Sequence, residues 1–375
     1  SVAGSLFDAL GYPPDHMDFC YENGGDALAL TDHGNANGLS HQVLHAKKMK
    51  EEGKNFKPIF GTEAYFIPSI SDWRKEYEKA LEDKKRAKTL GSELSGATVE
   101  DENSSKKVQD VLRRRRHLIL LAQNQTGLQN IFKLISESYK SENFYRYPRM
   151  DYDLLAKYGE GVIAASACLG GVYSGNYWEN REAGEEAVLQ AMRETTRKMM
   201  SIFGDRWYGE LQWNNVPEQH IINKFIIQMH KEFGIGLVST ADSHYPSKDA
   251  WKDRELYKRL GWLGKAAPSY ESTELPIGVD EIGYELYPKN GDQMWESYKK
   301  YSEECGVDYD DDIVMKSITH THEIAHQRID DFLPDNKVRL PDFVVPAGYT
   351  ATQALVNMSL EGLRQQGMHN NREHS

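Results

Sequence analysis

The sequence predicts an α/β barrel, and three observations predict it. Short apolar runs bounded by glycine, suited to strands covered on both faces, recur through the first 240 residues. Helical stretches of roughly ten residues or more separate them, the pattern of βαβ units and a parallel sheet. Two of the runs, Ala-Leu-Ala-Leu-Thr-Asp-His-Gly at 27–34 and Gly-Leu-Val-Ser-Thr-Ala-Asp-Ser-His at 236–244, end in an acid and an imidazole. In α/β barrels chemistry collects where strands end. Two distant strands that each deliver Asp and His there point to one shared metal centre.

Taken in order, residues 1–67 read as a βα unit and a further strand. A turn at 23–26 precedes a strand at 27–31, a helix over 41–51 and a strand at 58–67 that carries Glu63. Residues 71–115 change character. A densely charged helix at 73–88 and a polar stretch at 91–105 lead to Arg113, Arg114, Arg115 and Arg116. This predicts a peripheral insertion with a poorly ordered loop. Strands at 117–122, 161–167, 207–212 and 236–240 then alternate with helices over 127–139, 182–203 and 218–233. Beyond Trp251 the chain turns helical, with amphipathic candidates at 293–305 and 313–329. A proline-bounded linker at 340–349 precedes a helix over 350–366 that Thr350 would cap. The expected organisation is a barrel (1–70 and 116–255), a charged insertion (71–115), a helical extension (256–339) and a closing segment (340–375).

Composition bounds the rest. A chain of 375 residues with 39% hydrophobic content can build one large barrel plus an appendage. No apolar stretch approaches the roughly 20 residues that span a bilayer, and no secretory signal is present, so no membrane partner is expected. A net charge of −12 opposes nucleic-acid binding over the whole surface, so DNA would need a local basic patch. Cys20, Cys168 and Cys305 are too few for a disulfide framework, which places the chain in a reducing compartment.

Six candidate ligands fall on these strands or just past their ends: His33, Glu63, His117, Cys168, Asp242 and His244. Imidazole, carboxylate and thiolate together suit Zn, Mn or Fe better than Mg or Ca. Six exceed one tetrahedral ion, so a divalent metal cluster is expected. Asp32 would orient His33 from behind, and Glu210 would position a neighbour. Each has a bland reading beside it. His117 could be an exposed edge residue and Cys168 a small buried hydrophobe. A carboxylate such as Glu63 inside a buried strand is costly without a partner. The Arg113 to Arg116 cluster reads first as a solvated face, and His320 and His322 as capping or surface residues. His41, His45, His220 and His230, on amphipathic helices, read as solvated.

Leu-Ala-Leu-Thr-Asp-His-Gly-Asn, Lys-Pro-Ile-Phe-Gly-Thr-Glu-Ala-Tyr-Phe, His-Leu-Ile-Leu-Leu-Ala-Gln-Asn and Gly-Leu-Gln-Asn-Ile-Phe-Lys-Leu occur in this order. Pro-Arg-Met-Asp-Tyr-Asp-Leu-Leu, Ala-Ser-Ala-Cys-Leu-Gly-Gly and Ser-Thr-Ala-Asp-Ser-His-Tyr continue the series. Together they resemble the PHP domain in the version that opens the C-family replicative polymerases, the bacterial DNA polymerase III alpha subunits. Leu-Pro-Asp-Phe-Val-Val-Pro at 340–346 resembles their passage into the polymerase palm. The resemblance spans nearly the whole chain except 71–115.

The resemblance implies a distorted (βα)7-type barrel, followed by a helical segment leading to the palm, with up to three metals on nine ligands. His33, Glu63, His117, Cys168, Asp242 and His244 fall on matching motifs. The family's opening His-x-His is absent from this sequence and Asp8 is the nearest acid for the remaining ligand, so the resemblance implies a cluster, and a phosphoesterase, that are incomplete in this chain. The resemblance further implies a role in DNA replication in a bacterial or phage-infected bacterial cytoplasm, beside the other polymerase domains and DNA. The function would be metal-dependent 3′→5′ exonuclease or phosphoesterase work within a DNA-directed DNA polymerase, a nucleotidyltransferase. The alternatives are a structural PHP scaffold or a free-standing phosphatase. Arg113, Arg114, Arg115, Arg116 and Arg149 are the candidate DNA contacts. Ser1, a residue type that accepts the upstream segment in protein splicing, raises the expectation of a short His-x-His fragment joined in that way.

Overall fold

The computed structural model describes residues 1–93, 107–108, 110–262, 285–334 and 342–368. Two compact units emerge, 1–333 and 334–375. In the first, α1 (Pro13–Glu22), β1 (Ala27–Leu30), α2 (Leu39–Glu51), β2 (Lys57–Phe66) and α3 (Ile70–Glu93) come in turn. The chain returns through β3 (Arg116–Ala122), α4 (Gln125–Ser138), a short hairpin of β4 (Phe144–Tyr145) and β5 (Tyr147–Met150), and α5 (Tyr152–Tyr158). Then follow β6 (Val162–Ala165), α6 (Val172–Asn180), α7 (Glu185–Phe203), β7 (Trp207–Leu211), α8 (Pro217–Phe233) and β8 (Gly236–Ser239). Helices α9 (Trp251–Trp262), α10 (Gly291–Glu304) and α11 (Asp311–Glu323) complete the unit, the last running into a π-helical turn at Ile324–Arg328.

The strands join in one curled, half-barrel sheet, β4-β5-β2-β3-β6-β7-β8, with β1 also on β2. Pairings β1–β2, β2–β5, β6–β7 and β7–β8 are parallel, as the alternating pattern predicts. Strand β3 departs from that expectation and runs antiparallel to both β2 and β6. The reason lies in the insertion. Its outgoing and returning arms lie side by side, tied by Trp73 Nε1–H to the Val111 carbonyl at 2.8 Å and by the Arg114–Glu76 ion pair. The chain therefore re-enters the sheet at the end where β2 left it, and no crossover helix turns it round.

Burial alternates along β3, with Leu118, Leu120 and Ala122 fully buried in the main core. Its other face, Ile119 and Leu121, packs with Ile163, Ala165, Tyr208 and Val238 around Ile324, Ala325 and Ile329. The π-helical turn after α11 thus fills one side of the curled sheet. The insertion has its own small core, in which Trp73, Ala80, Val108, Val111 and Leu112 pack on Ile67 and Ile70. Most of the expected loop at 91–105 lies outside the described residues. His220, expected on a solvated face, is fully buried and bonded to Tyr309 Oη and the Asn214 carbonyl at 2.9 Å each.

In the second unit, α12 (Ala351–Gln365) starts as expected. Thr350 Oγ1 accepts from Gln353 N at 3.2 Å and the Gln353 side chain returns to Thr350 N at 2.9 Å, a capping box. No helix among the described residues is long and apolar enough to cross a membrane.

Candidate metal centre

The inversion of β3 explains where the ligands meet. Parallel β2, β6 and β8 deliver side chains at their carboxyl ends. Antiparallel β3 delivers its first residues at that same end, with Tyr65 of β2 opposite His117. His117 opens its strand for the same reason that the others close theirs.

Past β1 the backbone stays beside β2. Glu63 N–H donates to the Asp32 carbonyl at 3.0 Å and Gly34 N–H to the Glu63 carbonyl at 2.8 Å. Gly34 sits at φ +67°, and a Cβ there would lie 2.8 Å from Pro148 Cγ, so the turn after His33 requires glycine. Glu63, almost wholly buried, then faces two rings. Its Oε1 is 2.7 Å from His117 Nδ1 and its Oε2 is 3.5 Å from His33 Nδ1. On the other edge, His33 Nε2 is 2.8 Å from Asp8 Oδ2, and His244 Nε2 is 3.4 Å from that same oxygen. His33 therefore belongs to two three-residue groups, Asp8–His33–His244 and His33–Glu63–His117, either of which could hold a metal ion.

Cys168 and Asp242 flank the cluster. Cys168 Sγ lies 3.6 Å from His117 Nδ1, and Asp242 Oδ1 lies 3.7 Å from His244 Nδ1. Both sit on left-handed backbone at or beside the ligand position: Asp242 has φ +49° and Ala167, just before Cys168, φ +61°. Such strain gathers where structure over-determines a site. Glu210, expected to position a neighbour, accepts from Ala167 N–H at 2.8 Å and from Thr240 Oγ1–H at 2.7 Å. It braces both strand ends that carry Cys168 and Asp242.

The electrostatics fit a cation. Burial opposes ionisation of Asp8, but hydrogen bonds from His244 and His33 outweigh it and hold the carboxyl well below its usual range. Burial likewise opposes charge on His33, yet Glu63 and Asp8 raise its pKa to about 9. Glu63, despite its burial, is held at about 2 by His33 and His117. Asp8 and Glu63 therefore stand ionised, with a proton on His33 between them. Burial pushes the Cys168 thiol and the Asp242 carboxyl up, each helped by neighbouring negative charge. A divalent cation would relieve both. His33 Nδ1 is buried with no hydrogen-bond partner, aimed at Glu63. That nitrogen, in a nest of imidazole, carboxylate and thiol, fits a divalent cation as its partner.

The six expected residues thus lie within one cluster of neighbouring side chains. Asp8 joins them through His33 and His244. It is fixed by buried Arg254 of α9, whose Nη2–H donates to Oδ1 at 2.9 Å and Nε–H to the Asp8 carbonyl at 2.6 Å. Arg254 was not legible, because nothing in a charged helical stretch marks one arginine as facing inward.

Two expectations are corrected. Asp32 does not orient His33; its buried carboxylate accepts from Ser1 Oγ–H at 3.0 Å and from Gly38 N–H at 3.1 Å. Arg149 is fully buried and cannot meet DNA. It donates to the carbonyls of Arg114, Tyr145, Tyr147 and Leu112 and stacks 4.4 Å from the Trp73 ring, joining the insertion to the β4–β5 hairpin. Within the basic cluster Arg113 is exposed, Arg114 is held by Glu76 and Arg116 by Glu179. Arg115 alone of the four leans on the site. Its guanidinium lies 3.9 Å from the Tyr147 ring and 5.4 Å from Tyr65, which stacks on His33 at 6.0 Å.

A half-barrel with imidazoles and carboxylates gathered at its strand ends defines a class of metal-site α/β proteins. This chain belongs to the PHP domain family, whose model matches residues 3–214. It is 32% identical over 92% of its length to a DNA polymerase III subunit alpha of Aquifex aeolicus, covering 25% of that protein. It is 30% identical over 96% of its length to one from Borreliella burgdorferi, covering 26% of it. The chain spans about a quarter of these relatives. Among solved structures, an amidohydrolase from Chromobacterium violaceum aligns over 67% of this chain and 93% of its own, at 14% identity and a TM-score of 0.31.

Proposed function

We propose that this chain is the PHP portion of a C-family replicative polymerase, and that its cluster holds divalent cations for hydrolysis of 3′-terminal DNA phosphodiesters. The reading rests on one observation above others: His33 bridges two three-residue groups while its buried Nδ1, facing Glu63, has no hydrogen-bond partner. The alpha-subunit relatives support the placement in a replicase in the bacterial cytoplasm. Polymerase chemistry would belong to the three quarters of those relatives outside this chain, with 340–375 the approach to the palm.

Imidazole, carboxylate and thiol favour Zn, Mn or Fe. Bound there, such ions would neutralise charge on phosphoryl oxygens and acidify water. The chain's own residues supply the rest. Arg115, held over the Tyr65 and Tyr147 rings, offers a cation for the entering phosphate. Arg254 and Glu210 hold Asp8 and the Cys168 turn in place.

The test is hydrolysis of single-stranded DNA in Mn²⁺ by the chain joined to a His-x-His segment of the family pattern. The joined chain should shorten DNA from its 3′ end, and His33→Ala should abolish this. A joined chain that binds metal but leaves DNA intact would overturn the catalytic reading in favour of the scaffold.

A further inference from the structure

We propose that Asp26, His322 and His326 form a second cation site, for a divalent ion of the zinc class, that ties the segment after α11 to the start of β1. Two imidazoles and a carboxylate stand here, with one ligand atom from each within 4.8 Å of the others. His326 Nε2 is 3.0 Å from Asp26 Oδ2, and the His322 and His326 rings lie 4.4 Å apart at 45°. All three are exposed, so an ion reaches them from solvent.

The backbone fixes this group independently of any ion. His322 lies in the last turn of α11 and His326 in the π-helical turn that follows, four residues on, a spacing that puts both rings on one helix face. Between them Ile324 and Ala325 are buried against the sheet, so the face carrying the rings cannot roll away. Asp26 is held beside β2 by Lys57 N–H, which donates to its carbonyl at 2.8 Å. Lys57 Nζ in turn bonds the Ile329 carbonyl at 2.6 Å and pairs with Asp331 at 2.9 Å. Donors on three anchored stretches need close by only about 1.5 Å to reach the spacing of a zinc shell with bonds near 2.0–2.1 Å. Pi-helical turns recur at functional positions, and this one begins between the two histidines.

The site is separate from the cluster at His33. Asp26 precedes β1 and His33 follows it, so the two sit at opposite ends of the strand. Magnesium and calcium are poor candidates, since two of three donors are imidazole nitrogens. The ordinary alternative is a lone His326–Asp26 ion pair with His322 as a bystander. That alternative gives no role to His322 and predicts no metal.

The experiment is zinc titration of the full 375-residue chain, stripped with chelator, in competition with a chromophoric zinc indicator at pH 7.5. The wild-type chain should bind one more equivalent than His322→Ala/His326→Ala, and Asp26→Asn should weaken that equivalent at least tenfold. His33→Ala/His244→Ala should lose the cluster's zinc yet keep this equivalent, and circular dichroism should confirm that every variant is folded. Equal zinc binding by wild type and by folded His322→Ala/His326→Ala would overturn the proposal. So would loss of the equivalent in His33→Ala/His244→Ala.

Discussion

Asp8 and Arg254 show how much of the centre depends on residues that chemistry alone does not single out. Asp8 sits on an irregular segment with no periodicity to mark it, while Arg254 lies in a charged helix far along the chain. Yet the arginine holds Asp8 by two hydrogen bonds from a nearly solvent-free position. Arg254→Met should therefore lower metal affinity by about 10–100-fold, as loss of an outer partner does. Isothermal titration with Mn²⁺ reads this, and unchanged affinity would show that Asp8 holds its place unaided. Histidine 16 carries a different consequence. Burial lowers its pKa from 6.5 to about 4, and its Nε2 bonds the Leu10 carbonyl at 2.9 Å. The unfolded chain takes up that proton near pH 6.5, the folded chain only near 4. Its contribution is complete above 6.5 and is lost as pH falls towards 4. Urea midpoints at pH 7 and pH 5 should differ more for wild type than for His16→Gln.

Strand endings made six residues of the cluster legible at the level of elements, because a polar residue on a buried strand needs a reason to be there. The direction of β3 was not legible. Its apolar pattern is the same read either way, and direction depends on where the insertion returns. The insertion itself was read as peripheral from its charge. Its helix nevertheless carries Trp73, whose ring is buried beneath Arg149. Trp73→Ala should cost about 3–5 kcal/mol, seen as a lower melting temperature, because it empties a core and frees a buried guanidinium. At the turn after β1, Gly34→Ala should destabilise by about 1 kcal/mol or more, from positive φ and contact with Pro148. Chemical denaturation measures both.

The whole first unit closes on itself in a way that segment-by-segment reading missed. Residues after α10 look in sequence like an extension, yet Ile324, Ala325 and Ile329 fill one side of the half-barrel. Amphipathic periodicity shows that a helix has an apolar face, not which surface receives it. Ile324→Asp places a charge among Ile163, Tyr208 and Val238 and should destabilise the chain by several kcal/mol (about 3–5, as for an unpaired buried charge).

The central claim is that one centre, with His33 as its bridge, gathers metal at the strand ends. Metal analysis of His322→Ala/His326→Ala chains, with and without His33→Ala, after Mn²⁺ or Zn²⁺ loading and gel filtration tests it most directly. The chain that keeps His33 should hold metal and lose it when His33 is removed, with the fold intact by circular dichroism. Equal metal content in the two would contradict it.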